Sequence, residues 1–307
     1  MDNAKTRLAI LCASALLLLT VVGSSCRSNE IGSPKPVEMR QVTDDLGRTV
    51  MLPVKITRAV SLAPNLTENI FAVGAGDRLV GVTTFCNYPA EAKSIQKVGD
   101  TISPNLETIV AIKPDVVLVS TASQIEAFKN ILEQNGIAVY VTNPDSIEGM
   151  LANLQQLGDL FGTRDKADEL VSRLQQRISN VQNGVAGSDK PKVFIQIEKE
   201  PLFTVGKQSF ITVVVEKAGS ESVTSNIETP YPKLSKETAS TLNPDAIILS
   251  VSDDNLEANE VFKNSPAVKK GRVFNVDVDL LSRPGPRLVD ALEQIARDLH
   301  PDKFGER

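Results

Sequence analysis

The sequence predicts an α/β protein of two similar lobes, each around a mainly parallel sheet, joined by one long rigid helix. Three observations support this fold class. The chain has 307 residues, enough for two domains of ordinary size. One long segment near its middle has helical periodicity. A helix-turn-strand segment also occurs once on each side of that helix, and its strand is apolar throughout, as in parallel sheets buried on both faces.

The connecting helix is predicted over Thr163 to Val181. Thr163 is a candidate N-cap after the stop at Gly162, and Gly184 and Gly187 end the pattern. At about 1.5 Å per residue it would span roughly 30 Å, the width of a small domain. Its apolar residues recur at the spacing that keeps one side of a helix buried: Ala167, Leu170, Val171, Leu174, Ile178 and Val181.

The repeat aligns without a gap. Residues 107–120 read ETIVAIKPDVVLVS and residues 237–250 read ETASTLNPDAIILS. Each copy predicts a short helix, a Pro-Asp turn and a buried strand, and a further strand follows from Gly136 and from Gly271. Duplication of a half-chain explains the pattern. Convergence of two α/β sheets on the same helix-turn-strand chemistry is the alternative for this segment.

Residues 1–25 are predicted to be a lipoprotein export signal. Lys5 and Arg7 precede the apolar run Leu8 to Val22, which is short for a membrane span but suits a signal. Small residues then precede Cys26, as at a lipoprotein processing site, although Gly23 stands where a large aliphatic residue is usual. We therefore expect an exported protein, in the periplasm or on the outer face of the membrane, with a lipid anchor on Cys26. Ordinary cleavage with a free Cys26 is the alternative.

The remaining chain divides at the connecting helix. The predicted parts are a flexible tether at 26–40, an N-terminal lobe at 41–162, the helix at 163–184 and a C-terminal lobe at 185–307. Apolar residues make up 41% and charged residues 23%, as in a globular protein with enough material for two cores. The net charge of -5 and the dispersed basic residues give no indication of a nucleic-acid partner.

In the N-terminal lobe, the first elements predict a ligand site at the ends of strands. A hairpin or an extended arm over Val42 to Leu52 precedes a strand at Ala59 to Leu62. Asn65 with Glu68 fits a helix-capping pair directly after that strand. The next strand, at Leu79 to Val82, leads into the loop with Phe85 to Tyr88. Because α/β sheets bind ligands where strands feed helix N-termini, Asn65 and Tyr88 are candidate contacts.

The later elements complete the two lobes. An amphipathic helix over Ser146 to Phe161 closes the first. The second contains a strand at Val193 to Ile197, a helix at Ile211 to Ala218, a Pro/Gly loop at Leu281 to Arg287 and a final helix at Leu288 to Leu299.

Four motifs together resemble one protein family. They are VSLAPNLTENIFAVGAGDRLVGVT, FCNYP, VGDTISPNLETIVAIKPDVVLVS and LLSRPGPRLVDALE. Over roughly residues 40 to 300 the chain is similar to the extracytoplasmic substrate-binding proteins of ABC importers for cobalamin and iron-siderophores, and most to the cobalamin branch. The resemblance implies a monomer with a ligand cleft between two lobes, small lobe motion, and delivery of cobalamin or another corrinoid to a membrane permease.

Two acids are assigned by this resemblance to permease docking. Glu107 and Glu237 match the family's acidic residues, one on each lobe, that pair with arginines of the permease dimer. Both also begin the repeated segment, and two equivalent carboxylates suit a partner with two equivalent subunits. The alternative is that each is only a favourable acid in the first turn of a helix.

Further positions are implied as ligand contacts. Thr101 stands where some members have tryptophan, and this chain has none, which weakens the expected packing on a flat corrin ring. Cys86 could ligate cobalt or be a small buried residue. The candidate contacts from the resemblance and from the strand-end argument are Pro64, Asn65, Phe85, Tyr88, Thr101, Tyr231, Asp279 and Arg283.

Other functions fit the sequence less well. The single histidine, His300, argues against the metal-binding relatives and against a Ser-His-Asp hydrolase. We therefore expect a binding protein with no catalytic residues, no metal site and no cofactor besides its transported ligand. The alternatives are an iron-siderophore or haem carrier, which Arg283 and Arg287 would suit, and an exported lipoprotein hydrolase.

Overall fold

The computed structural model describes residues 37–120 and 125–304, and the side chains within these ranges except those of residues 125–128. The predicted signal, Cys26 and the tether up to residue 36 lie outside the described residues. Residues 38–307 belong to one unit. Within the described residues, no helix is both long enough and apolar enough to cross a bilayer.

The described chain begins with the predicted hairpin. Strand β1 (Met39–Thr43) pairs with β2 (Thr49–Pro53) in antiparallel register. Asp44 stabilises the turn, because its carboxylate accepts hydrogen bonds from the backbone amides of Leu46 and Arg48 at 3.1 and 2.9 Å. The predicted tether is therefore too long at its end, since Met39 and Arg40 belong to β1.

The first sheet is parallel, with strand order β4-β3-β5-β6. Its strands are β3 (Ala59–Ser61), β4 (Leu79–Val82), β5 (Val116–Ser120) and β6 (Ala138–Thr142). The associated helices are α1 (Pro64–Ala72), α2 (Leu106–Ala111), α3 (Ile125–Gln134) and α4 (Ile147–Phe161). The hairpin packs along the edge strand β6, where the Asp45 amide donates to the Val141 carbonyl at 3.1 Å, and so protects that edge.

The connecting helix is α5 (Arg164–Val185), 22 residues long. All six predicted apolar residues are buried, which confirms the periodicity. Gly162 ends α4 in the left-handed region, at φ +69°. Thr163 is the N-cap residue, as predicted, although its hydroxyl makes no capping bond. The predicted end is wrong, because Gly184 lies inside the helix.

Helix α5 contacts elements that precede it in the chain and elements that follow it. On one side its Ala167 lies against Gly158 of α4. On the other, the Arg177 guanidinium binds Asp290 at 2.6 Å and Glu293 at 2.8 Å, both on α10 (defined below). We use N-terminal lobe and C-terminal lobe for the elements before and after α5.

The second sheet is also parallel, with strand order β10-β9-β7-β8. Its strands are β7 (Lys192–Gln196), β8 (Glu221–Ser222), β9 (Ala246–Val251) and β10 (Val273–Asp277). Its helices are α6 (Phe210–Lys217), α7 (Lys236–Thr241), α8 (Pro266–Lys269), α9 (Val278–Ser282), α10 (Leu288–Leu299) and α11 (Pro301–Phe304). Helix α10 has the predicted bounds, but it is not the final helix because α11 follows it.

The two sheets have the same topology. In each, the second strand in chain order lies at one edge, followed across the sheet by the first, third and fourth. The repeated segments occupy equivalent places, α2 with β5 and α7 with β9. The predicted similarity of the lobes is therefore confirmed at the level of strand order.

Equivalent residues also have equivalent local roles. Asn105 caps α2 by accepting from the Thr108 amide at 2.9 Å, and Ser235 caps α7 by accepting from the Thr238 amide at 3.1 Å. After each helix, the residue before the repeated proline has a positive φ, +47° at Lys113 and +43° at Asn243.

The repeated aspartates then join the start of their strand to the first strand of the lobe. The Asp115 carboxylate accepts from the backbone amides of Thr57 and Arg58 at 2.7 and 2.9 Å. The Asp245 carboxylate accepts from the Lys192 amide at 3.0 Å. The Pro-Asp turn thus fixes one strand against its neighbour in both lobes.

Candidate ligand site between the lobes

Helix α1 starts two residues earlier than the capping pattern predicts. Its N-cap is Ala63, which makes no side-chain capping bond, and Pro64 occupies the first helical turn. Proline is favoured there because its missing N-H has no partner to lose. Asn65 and Glu68 therefore lie inside the helix and are buried, so the predicted capping pair is wrong. Their side chains are available for contacts elsewhere.

Glu68 instead forms the centre of an ion cluster between the lobes. Its Oε1 accepts from Arg283 Nη1 at 2.8 Å and from Arg287 Nη2 at 2.6 Å, and its Oε2 accepts from Arg287 Nε at 2.8 Å. The Glu68 side chain is only 3% exposed, against 12% for Arg283 and 18% for Arg287. A carboxylate of the N-terminal lobe is thus held by two guanidinium groups of the C-terminal lobe.

Asn87 and Asp279 extend this cluster toward the surface. The Asn87 carbonyl oxygen accepts from Arg283 at 2.7 Å, and its amide donates to Asp279 at 3.0 Å. Asp279 also pairs with Arg283 at 2.6 Å and is 28% exposed. We call the five residues Glu68, Asn87, Asp279, Arg283 and Arg287 the interlobe cluster.

The backbone of the C-terminal lobe approaches α1 closely beside the cluster. The Asn69 amide donates to the Pro284 carbonyl at 3.2 Å. A Cβ atom at Gly285 would lie 2.6 Å from Asn69 Oδ1. A larger residue at position 285 would force the buried Asn69 side chain to move, which explains the glycine between the two prolines.

The charges of the interlobe cluster balance. Two carboxylates, Glu68 and Asp279, face two guanidinium groups, Arg283 and Arg287. Burial acts to lower the pKa of Arg287, but the hydrogen bonds and charge of Glu68 outweigh burial, and the pKa is raised. Arg287 is therefore charged at neutral pH, and both arginines are already paired with protein carboxylates.

Aromatic side chains lie beside the cluster on the loop after β4. Phe85 is 59% exposed and Tyr88 is 46% exposed. The Arg287 guanidinium stacks on the Tyr88 ring, 4.1 Å from its centroid. Lys97 supports this loop by donating to the Cys86 carbonyl at 3.3 Å. The loop thus presents apolar ring surface next to polar groups.

Cys86 itself is part of the core. It is 2% exposed, and its sulfur lies 3.1 Å from the Thr67 hydroxyl, which donates to it, and 3.2 Å from the Thr83 hydroxyl. Of the two interpretations of Cys86, the geometry favours the small buried residue. Among the described residues, no group of three or more His, Cys, Asp or Glu side chains is placed to hold a metal ion.

The structure brings together only part of the predicted set. Tyr88, Asp279 and Arg283 contact the interlobe cluster or belong to it. Pro64 and Asn65 lie on α1 within one turn of Glu68. Within the described part of the chain, no hydrogen bond or ion pair joins Thr101 or Tyr231 to the cluster. The assignment of all eight residues as ligand contacts stays a prediction.

Sequence reasoning missed the central residue of the site. Glu68 was interpreted as a helix cap, and Arg287 entered only as support for an anionic ligand. The signal that could have found the pair is the RPGPR segment. It places two arginines four residues apart around a tight Pro-Gly-Pro turn, and such a pair requires a counterion when buried.

The two predicted docking acids occupy matching positions. Glu107 is the second residue of α2 and Glu237 the second residue of α7, and both are exposed. A hydrogen bond from its own backbone amide, and then one from Ser235, lower the pKa of Glu237. The placement is compatible with docking and with the alternative of favourable first-turn acids, so docking stays a prediction.

Comparison with known proteins identifies a family. The sequence profile described as "Periplasmic binding protein" matches residues 60–280. The chain is 30% identical to the uncharacterized ABC transporter substrate-binding lipoprotein YvrC of Bacillus subtilis, over 95% of this chain and 98% of the relative. It is 29% identical to the vitamin B12-binding protein of Vibrio parahaemolyticus, over 78% of this chain and 88% of the relative.

Solved structures agree on the fold. A periplasmic heme-binding protein from Pseudomonas aeruginosa superposes with a TM-score of 0.73 and 25% identity, over 82% of this chain and 95% of that chain. The relatives therefore include proteins named for different ligands.

Proposed function

The chain belongs to the periplasmic binding protein family as the substrate-binding protein of an ABC transporter, and we propose that the ligand it captures is cobalamin or a related corrinoid. Proteins of this family work outside the cytoplasm, and they are binding proteins for transport and not enzymes. That sets aside the exported hydrolase.

The balanced charge of the interlobe cluster is the observation that carries this proposal. Anionic ligands such as haem and many ferric siderophores gain most from cations in the site that are not already paired with protein carboxylates. Here both Arg283 and Arg287 are engaged by Glu68 and Asp279 at 2.6 to 2.8 Å. A corrinoid needs apolar surface for its ring and hydrogen-bond partners for its peripheral amides. Phe85 and Tyr88 offer apolar ring surface, and Asn87 and Asp279 offer hydrogen-bond partners.

Calorimetry with four ligands tests the choice. Purified protein is titrated with cyanocobalamin, cobinamide, haem and a ferric siderophore. We expect one-to-one binding of at least one corrinoid and weaker binding of the anionic ligands. The second candidate is a haem or iron-siderophore carrier, favoured by the arginine pair and by the heme-binding neighbour. Heat with haem or the siderophore, and none with either corrinoid, would establish that candidate instead.

We propose that Glu107 and Glu237 dock the permease dimer. Equivalent acids on equivalent lobes match a partner with two equivalent subunits, and exposed charges orient such an encounter more than they tighten it. We expect E107Q and E237Q each to slow uptake, and the double variant to abolish it, with ligand affinity unchanged in all three. E169Q, which removes an exposed acid of α5, is the control. Reduced ligand affinity in the double variant would place the acids in the ligand site.

The proposed anchor is a lipid on Cys26, which would keep the protein close to its permease. The Bacillus subtilis relative is named a lipoprotein. We expect the wild-type chain in the membrane fraction of cells and the C26S variant in the soluble extracytoplasmic fraction. Equal distribution of both would refute the anchor.

A further inference from the structure

The interlobe cluster contains an anion that the protein itself supplies. We propose that Glu68 determines the charge of the ligand, because it is a permanent counterion of Arg283 and Arg287 and thereby excludes anionic ligands from the cleft. The inference rests on the proposed function only in taking this cleft as the ligand site. It assigns to Glu68 a role in specificity, acting through the two arginines.

The contacts leave little of either guanidinium for an incoming anion. Glu68 receives three guanidinium hydrogen bonds, two of them from Arg287 in a bidentate arrangement. Arg283 also binds Asp279 and Asn87, and one face of Arg287 lies on Tyr88. A ligand carboxylate or phosphate would have to displace charge-assisted hydrogen bonds that are already desolvated.

Glu68 is also held in place and cannot easily be displaced. Its side chain is 3% exposed, and the flanking residues Thr67 and Asn69 are fully buried. Asn69 binds the Pro284 carbonyl, and Gly285 packs against Asn69 without space for a Cβ atom. The loop that carries both arginines is thus fixed against the helix that carries Glu68. Competition therefore favours the built-in carboxylate over a ligand that must lose its translational freedom.

The variant E68Q tests this role by gain of binding. Glutamine keeps the shape of glutamate but removes its charge, so two cleft arginines lose their shared counterion. We expect the affinity for haem, which carries two carboxylates, to rise about tenfold or more, as one recovered charge-assisted hydrogen bond would give. The gain should weaken at high salt. Because the exposed apolar surface of misfolded protein can also take up haem, the comparison uses E68Q with the circular dichroism spectrum of wild type. Unchanged haem affinity in folded E68Q would overturn the proposal.

E68Q leaves the partly buried Arg287 guanidinium without a carboxylate and removes one of the two carboxylates that hold Arg283, so we expect it to be less stable than wild type. A thermal melt with increasing pyrophosphate covers that case. The Tm of E68Q should rise with pyrophosphate, and the Tm of wild type should not. A second, milder variant is D279N, which removes only the 28% exposed carboxylate from Arg283. It should gain haem affinity by a smaller factor. If neither variant responds to either anion, the proposal is wrong.

A matched control is E293Q. Arg177 on α5 is also held by two carboxylates, Asp290 and Glu293, but away from the cleft. Removing one of them changes the net charge equally, so E293Q should gain no haem affinity. A gain as large as that of E68Q would refute a specific role for Glu68.

The outcomes separate this inference from the proposed ligand. If the wild-type protein binds no corrinoid, the proposed ligand is wrong. A gain of anion binding in E68Q would still support the role of Glu68. Wild type that binds haem as tightly as E68Q would overturn the role of Glu68, whatever the corrinoids do.

Discussion

The packing of the connecting helix on the N-terminal lobe includes one close approach between α4 and α5. Gly158 of α4 faces Ala167 of α5, and a Cβ atom at Gly158 would lie 2.5 Å from the Ala167 Cβ and 3.3 Å from the Arg164 Cα. The first distance is about 1 Å shorter than an ordinary contact, so G158A must push the helices apart. Overpacking of this kind costs about 1 to 3 kcal/mol. Replacing glycine inside a helix returns about 1 kcal/mol.

We therefore expect G158A to lower the free energy of unfolding by up to about 2 kcal/mol. In the A167G background the clashing methyl group is absent, and only the tight contact with Arg164 remains. There, the same substitution should be neutral or stabilising, by up to about 1 kcal/mol. The effect of G158A should thus change sign or vanish between the two backgrounds.

Urea unfolding of wild type, both single variants and the double variant measures this coupling. A167G alone should also be destabilising, because a buried methyl group and helix propensity are lost. An equal effect of G158A in both backgrounds would show that α4 and α5 do not meet at these residues. The reasoning about how the helix joins the lobe would then be wrong.

Three further predictions concern ionisable groups. Burial and then the charges of Asp45 and Asp44 raise the pKa of Tyr140 to about 12, above its ordinary value near 10. The unfolded chain therefore loses this proton at a lower pH than the folded protein. The protein should keep its full stability below pH 10 and lose up to about 2 to 3 kcal/mol as the pH rises to 12. Thermal melts of Y140F between pH 10 and 12 should show a smaller loss of stability than wild type. An equal loss of stability in both proteins would contradict the burial of this hydroxyl. The hydrogen bond from Arg177 lowers the pKa of Glu293 in the folded protein. The ionised Glu293 therefore stabilises the fold fully above the unfolded pKa near 4.3, and this stabilisation is lost as the pH falls through the lower pKa of the folded state. Unfolding of E293Q should therefore be less sensitive to acid below about pH 5 than unfolding of wild type. Of the repeated aspartates, D115A should cost more than D245A, about 2 against 1 kcal/mol in urea unfolding, because Asp115 accepts three hydrogen bonds and Asp245 accepts one. Equal costs would mean that these bonds do not set the stability.

Local patterns in the sequence determined the elements of this fold. The apolar spacing of α5, the left-handed glycine before it and the paired Pro-Asp turns all depend on residues a few positions apart. Because such preferences act within a few residues, they predicted the connecting helix, the hairpin and the shared helix-turn-strand units. The repeat extended that reasoning to two lobes of one type.

The tertiary structure alone decided what the polar residues of α1 do. Asn65 and Glu68 have the spacing of a capping pair, but Pro64 starts the helix two residues early and leaves both inside it. Glu68 then finds its partners Arg283 and Arg287, 215 and 219 residues away, when the two lobes meet. Spacing along the chain cannot show such a contact, because a buried charge is paired by whichever opposite charge the packing of distant elements brings to it.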